Sequence, residues 1–279
     1  MNRVSTLFCG ITLSSVILTS VIQRNEKKTI AAPIKEGNLA FVVNGEDFVR
    51  QGFVSKDNWE VNFDHVYINV DDTVAYSTSS SFEPQKGDTK ESIDHQDKVS
   101  FLDTPKTADL AEGGTDAEPI LVSKVNATEG FYNALSWKLI TADSQSAISG
   151  KTMVLIGKAV KDGETVNFNL GFNNPTEYVC GEFIGDERQG VVAADTPGTV
   201  EATFHFDHIF GDANTPIEDA LNQDALGFQP IAELASNGTV DLDDMDLASQ
   251  LSAQNYQKLT EAIAGLGHVG EGHCVISND

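Results

Sequence analysis

Between residues 38 and 209 the apolar residues keep the two-residue period of strands, with no helical segment interleaved, and that restricts this stretch to a β architecture. The clearest example is 59–70. There Trp59, Val61, Phe63, His65 and Tyr67 fall on one face while Glu60, Asn62 and Asp64 fall on the other. The pattern predicts an aromatic inner face with His65 as a buried, hydrogen-bonded core histidine. Residues 73–77 are expected to pair back on this strand through a turn at Asp71-Asp72. Two dipeptides fit the two-residue type I′ turn: Asn44-Gly45 between 38–43 and 46–53, and Asp162-Gly163 between 153–160 and 164–172. Further strands are predicted at 99–102, 120–125, 131–140, 177–184 and 199–210. Residues 79–97, polar and carrying Pro84 and Gly87, read as a surface loop in which His95 is solvated. Many short strands joined by turns predict an antiparallel β-sandwich over 38–210.

After Gly211 the period changes. Thr215-Pro216-Ile217-Glu218 combines a capping box with proline at the first helical position, and Tyr256, Leu259, Ile263 and Leu266 recur at spacings of three and four. Residues 211–279 are therefore expected to form a small helical cap packed on the sandwich. Asn237-Gly238-Thr239-Val240-Asp241-Leu242-Asp243-Asp244 resembles the second half of a calcium-binding loop. It lacks the early acidic positions, so the preferred reading is a loop followed by an N-cap at Asp243.

The other end of the chain carries Arg3 and then an uncharged, mostly apolar run over 7–22, shorter than the ~20 residues a bilayer-spanning helix needs. It reads as a signal peptide over 1–22, followed by a linker over 23–37. No clean small-residue cleavage site follows, which keeps an uncleaved N-terminal anchor as the alternative. The expected location is periplasmic or secreted. In an oxidising compartment Cys180 and Cys274 form an even pair and are expected to be bonded, tying the C-terminus to the sheet. The 279-residue chain holds 42 Asp plus Glu against 18 Lys plus Arg, a formal charge of -24. Such a field repels phosphate backbones and anionic lipid, so neither nucleic acid nor peripheral membrane binding is expected.

Four of the six histidines lie near the C-terminus: His205, His208, His268 and His273. Along a straight strand His205 and Asp207 share one face and His208 takes the other, unless the chain bends there. His268 and His273 sit in a glycine-rich segment that can fold back on a partner. Neutral imidazoles with a carboxylate suit copper, zinc or iron, which makes His205, Asp207, His208, His268 and His273 the candidate ligands. The acidic charge admits calcium as a second, structural ion.

Thr203-Phe204-His205-Phe206-Asp207-His208 resembles the H-x-H-x-D-H run of metallo-β-lactamase-type hydrolases, with Thr203 in the place of the first histidine. That family carries its run early in the chain, whereas this one comes late. Val61-Asn62-Phe63-Asp64-His65-Val66 and Gly130-Phe131-Tyr132-Asn133-Ala134-Leu135-Ser136-Trp137-Lys138-Leu139 resemble segments of secreted bacterial β-sandwich proteins. Among these are the periplasmic, methanobactin-associated copper-binding proteins, whose copper-ligand arrangement this chain lacks. The resemblance implies a fold and a compartment. No G-x-S-x-G elbow and no phosphate-cradling glycine loop is present. The expectation is an exported, non-enzymatic protein holding a transition metal through its C-terminal histidines. The alternatives are a structural or adhesive surface module, with calcium or no ligand, and a metal-dependent hydrolase.

Overall fold

The computed structural model describes residues 35–277. The export segment expected over 1–22, and the linker as far as residue 34, lie outside the described residues.

The described chain is mainly β, with a few helices and several mixed sheets. One sheet has five strands in the order Gly272–His273, Gly267–Val269, Gly198–Phe204, Glu36–Asn44 and Ile120–Thr128. The largest runs from Thr239–Asp243 through Glu164–Phe172, Met153–Lys161, Glu60–Thr78, Ala134–Leu139 and Thr176–Cys180 to Val275–Ile276, with three short strands added along Glu60–Thr78. Among the described residues two strand pairs are parallel, Glu36–Asn44 with Gly198–Phe204 and Glu164–Phe172 with Thr239–Asp243, and an isolated bridge between Ile184 and Gly270 is parallel too. Purely antiparallel sheets, the sequence expectation, are therefore not what forms. Parallel neighbours need a long connection between them, and period-2 patterning carries no strand direction. Residues of both larger sheets share one apolar core, in which Phe41, Trp137, Phe172, Tyr178 and Phe204 are fully buried.

The Asp162-Gly163 hairpin forms as expected, Lys161 opposite Glu164, with both turn residues at positive φ (52° and 86°). The hairpin expected at Asn44-Gly45 does not. Residues Glu46–Gln51 are helical, and Glu36–Asn44 pairs with two distant strands instead. Gly45 is required there by close packing, since a Cβ would stand 2.5 Å from Val49 Cγ2. The turn expected at Asp71-Asp72 is also absent. Glu60–Thr78 is one 19-residue strand whose register against Ala134–Leu139 shifts between Asp71 and Val74.

His65 is a further correction. A register shift between Phe63 and His65 against Met153–Lys161 inserts one residue, and an insertion of one exchanges the two faces of a strand. Val61 is buried before it, and Val66, Ile68 and Val70 are buried after it. His65 is thus exposed, with Nδ1 2.7 Å from Asp109 Oδ2.

Past Gly211 the chain supplies helices and strands together, so the segment expected as a helical cap is woven into both sheets. The start signal at 215–218 does not open a helix. Helix Ala220–Asp224 begins one turn later, capped by Asp219, whose Oδ1 accepts from Leu221 N at 3.0 Å. Helix Ala253–Ala264 forms where the spacing places it and buries Leu259 and Ile263. The disulfide between Cys180 and Cys274 is present, closing a separation of 94 residues.

Candidate metal centre

The strand expected to run through residue 210 stops at Phe204, and Asp207–Phe210 forms a short helix. The apolar spacing explains the bend. Phe204 and Phe206 alternate as in a strand, whereas Phe206, Ile209 and Phe210 stand three and four apart and are all fully buried, so the chain must turn helically to bury them together. The turn carries His208 round towards His205, its N–H donating to the His205 carbonyl at 3.2 Å.

The other two histidines arrive by strand pairing. His268 pairs with Thr203 on one side and with His273 on the other. Side chains of directly paired residues share a face, so His268 and His273 project together beside the end of Gly198–Phe204. Thr203 Oγ1 accepts the Gly270 N–H at 3.0 Å, which holds the turn that follows His268. Gln85 Nε2 donates to the His273 carbonyl at 3.0 Å, and the next residue, Cys274, is the bridged one.

The imidazoles therefore meet. His205 and His268 stack with centroids 4.0 Å apart, His268 lies 4.2 Å from His273 and 5.0 Å from His208, and His208 lies 5.7 Å from His273. One ring nitrogen from each of His205, His208 and His268 falls within 4.8 Å of the others. His268 is 2% exposed, and neither of its ring nitrogens has a hydrogen-bond partner among the described residues. His205 Nε2 is also buried without a hydrogen bond, although Glu46 Oε1 approaches to 3.2 Å as an ion-pair contact. Buried polar atoms are ordinarily satisfied, so a cluster of orphaned nitrogens marks a place where donors or an ion are wanted.

Burial and the neighbouring imidazoles His205 and His273 lower the His208 pKa to about 4. Burial, followed by His205, His273 and His208, lowers that of His268 to about 2 against a lesser upward pull from the nearby Gly265 backbone. Both rings are held neutral, the form that binds metal. For His205 burial acts downwards, but Glu46, with Asp207 and Glu271, outweighs it and raises the pKa. Burial also raises Asp207, with His205 opposing and Glu46 reinforcing.

Of the candidate ligands, His205, His208 and His268 converge, and His273 lies against them as the exposed member. Asp207 is close by, with Oδ1 buried and unpartnered, but its oxygens are not in the converging set. Glu46 was missed because the Asn44-Gly45 turn signal placed it in a hairpin. It opens helix Glu46–Gln51 at φ 57°, a conformation costing a non-glycine residue about 1–2 kcal/mol, and Asn44 Oδ1 accepts its N–H at 2.9 Å. A cleft of about 490 Å³ adjoins His208 and His273 and is walled by Asp219, Asp224 and Glu261 among others. Comparison with protein families, curated proteins and solved structures gives no match.

Proposed function

We propose that this chain is an exported, non-enzymatic protein that binds one transition-metal ion through His205, His208 and His268, with His273 as an exposed fourth ligand. Glu46 and Asp207 act from beside His205, and the Cys180–Cys274 bridge holds the tail in place. In this reading the two larger sheets form a sandwich about their shared core, the chain is periplasmic or secreted, and the ion is copper, zinc or iron. What carries the reading is the pair of buried, unpartnered His268 nitrogens beside those of His205 and His208. Nitrogens on a tetrahedral zinc stand roughly 3.4 Å apart, so binding would draw the rings inward by about an ångström. The low pKa values of His208 and His268 support the reading, because no proton has to be displaced from either ring near neutrality.

Elemental analysis of protein purified without chelators tests it. The expected result is about one equivalent of transition metal per chain, with affinity falling roughly 100-fold or more in His268→Ala. Wild-type protein that retains less than about a tenth of an equivalent after dialysis against zinc and copper overturns it. The cleft beside His208 and His273 favours a second reading, a metal-dependent hydrolase with an open coordination position. Turnover of a chromogenic ester by the zinc-loaded wild type, lost in His268→Ala, would select that one.

A further inference from the structure

We infer that the cleft between helices Ala220–Asp224 and Ala253–Ala264 is the port through which a hydrated divalent cation reaches the histidines, and that His273 is the group it meets first. The inference rests on the metal-binding reading and adds a route to it.

Burial sets the order of contact. His268 is 2% exposed and His205 8%, His208 is half-buried, and His273 is exposed. An ion arriving from water cannot touch His268 before it has passed the outer pair. His273 is paired with His268 across two strands, their rings 4.2 Å apart, and its ring is 5.7 Å from His208. An ion held by His273 is therefore one ring away from both His268 and His208, and can exchange its waters for imidazoles in steps.

Two clefts border His273, and charge distinguishes them. The larger, of about 510 Å³, is walled by Phe82, Pro84, Phe183 and Ile184, and its acids are matched: Glu83 lies 2.9 Å from Lys86, and Glu182 3.2 Å from Arg188. The smaller, of about 490 Å³, adds His208 and carries Asp219, Asp224 and Glu261. Among the described residues none of these three forms an ion pair with Lys or Arg. Lys258, on the same helix as Glu261, is turned to the carbonyls of Gln223 and Ala225, and Lys56, which feels the Asp224 charge, is turned to those of Asn222 and Ala225, so neither ammonium pairs with a cleft carboxylate. A cleft lined by charge of one sign raises the local concentration of the opposite ion and speeds its association. The smaller cleft thus gathers cations, and it leads to two of the four histidines.

The test is stopped-flow association of zinc ion with the full chain, comparing wild type with the triple variant Asp219→Asn, Asp224→Asn, Glu261→Gln and with the control Glu83→Gln, Glu182→Gln. Asparagine caps a helix as aspartate does, so the cap on Ala220–Asp224 survives. The association rate of the triple variant is expected to fall about tenfold at low ionic strength, with the dissociation rate unchanged and the difference disappearing at high salt. The control should match wild type. An unchanged association rate in the triple variant, or a slower one in the control, overturns the port while leaving the metal site standing. A wild type that takes up no zinc at equilibrium overturns both.

Discussion

Two regions rich in metal-ligand residue types lie in the last third of the chain, and they differ in what their lone pairs are doing. In the histidine cluster the nitrogens of His268 and Nε2 of His205 have no hydrogen-bond partner among the described residues. In the aspartate run of 241–246 each carboxylate has at least one oxygen engaged, and Asp243 has both. Asp243 Oδ1 accepts from Met245 N at 2.9 Å and Asp246 N at 3.2 Å, and its Oδ2 lies 3.1 Å from Lys151 Nζ. Asp241 Oδ1 accepts from Asn169 Nδ2 at 3.0 Å, and Asp244 Oδ2 accepts from Asn173 N. The aspartates cap a helix and fasten a parallel edge strand; among the described residues His205 Nε2 meets only the Glu46 carboxylate, and the His268 ring nitrogens have no hydrogen-bond partner. Residue type alone would have ranked the regions together, and the unsatisfied donor or acceptor separates them.

The largest expected break comes from removing the clamp on one region only. Replacing both Cys180 and Cys274 by alanine opens a 94-residue separation, and the chain-entropy account puts the loss at about 4–5 kcal/mol. Chemical denaturation should show that loss together with weaker metal binding, because His273 adjoins Cys274. A loss under about 1 kcal/mol would mean that strand pairing alone pins the tail. Next in size is the response of the metal-free protein to acid. His208 and His268 have folded pKa values below the unfolded one, so between about pH 6.5 and 4 the unfolded chain binds more protons and stability falls with pH. Each contributes up to about 1.4 kcal/mol per pH unit. His205, raised by Glu46 despite its burial, works with the opposite sign and costs stability as pH rises past 6.5, while the raised Asp207 softens the acid limb. Stability should therefore peak near pH 6.5. Asp243, lowered first by its Lys151 hydrogen bond, loses its contribution only below the ordinary carboxylate range, so the two regions titrate in separate windows. A flat profile from pH 6.5 to 4.5 would show that the cluster rings reach water.

The β class, the Asp162-Gly163 hairpin, helix Ala253–Ala264 and the bridged cysteines were legible in the sequence because each depends on local spacing or on simple pairing. Strand direction and the faces of Glu60–Thr78 were not. A parallel partner lies over a hundred residues away in Glu36–Asn44 with Gly198–Phe204, and a one-residue bulge at Asp64 cancels the alternation that placed His65 inside. The histidines were legible as ligand types. What stayed hidden was the bend at Phe206, although its signal is present in the change of spacing at Phe206, Ile209 and Phe210. Glu46 was concealed by a turn dipeptide whose glycine serves packing against Val49.

The smallest expected effect bears on the aspartate run. To use the Asp243 carboxylate, calcium has to displace Lys151 and the Met245 and Asp246 amides that it already holds. Lost caps and a displaced ammonium offset what ligation would gain, and the loop has no early acidic positions to complete a shell. Millimolar calcium should therefore move the melting temperature by no more than about 1 °C, whereas a stoichiometric excess of zinc raises it by several degrees through the histidines. Asp243→Asn should leave the zinc response unchanged, because the residue touches none of the rings. A calcium shift of about 4 °C or more that vanishes in Asp243→Asn would reverse the comparison, making the satisfied region the ion site and the orphaned nitrogens a cost the fold merely tolerates.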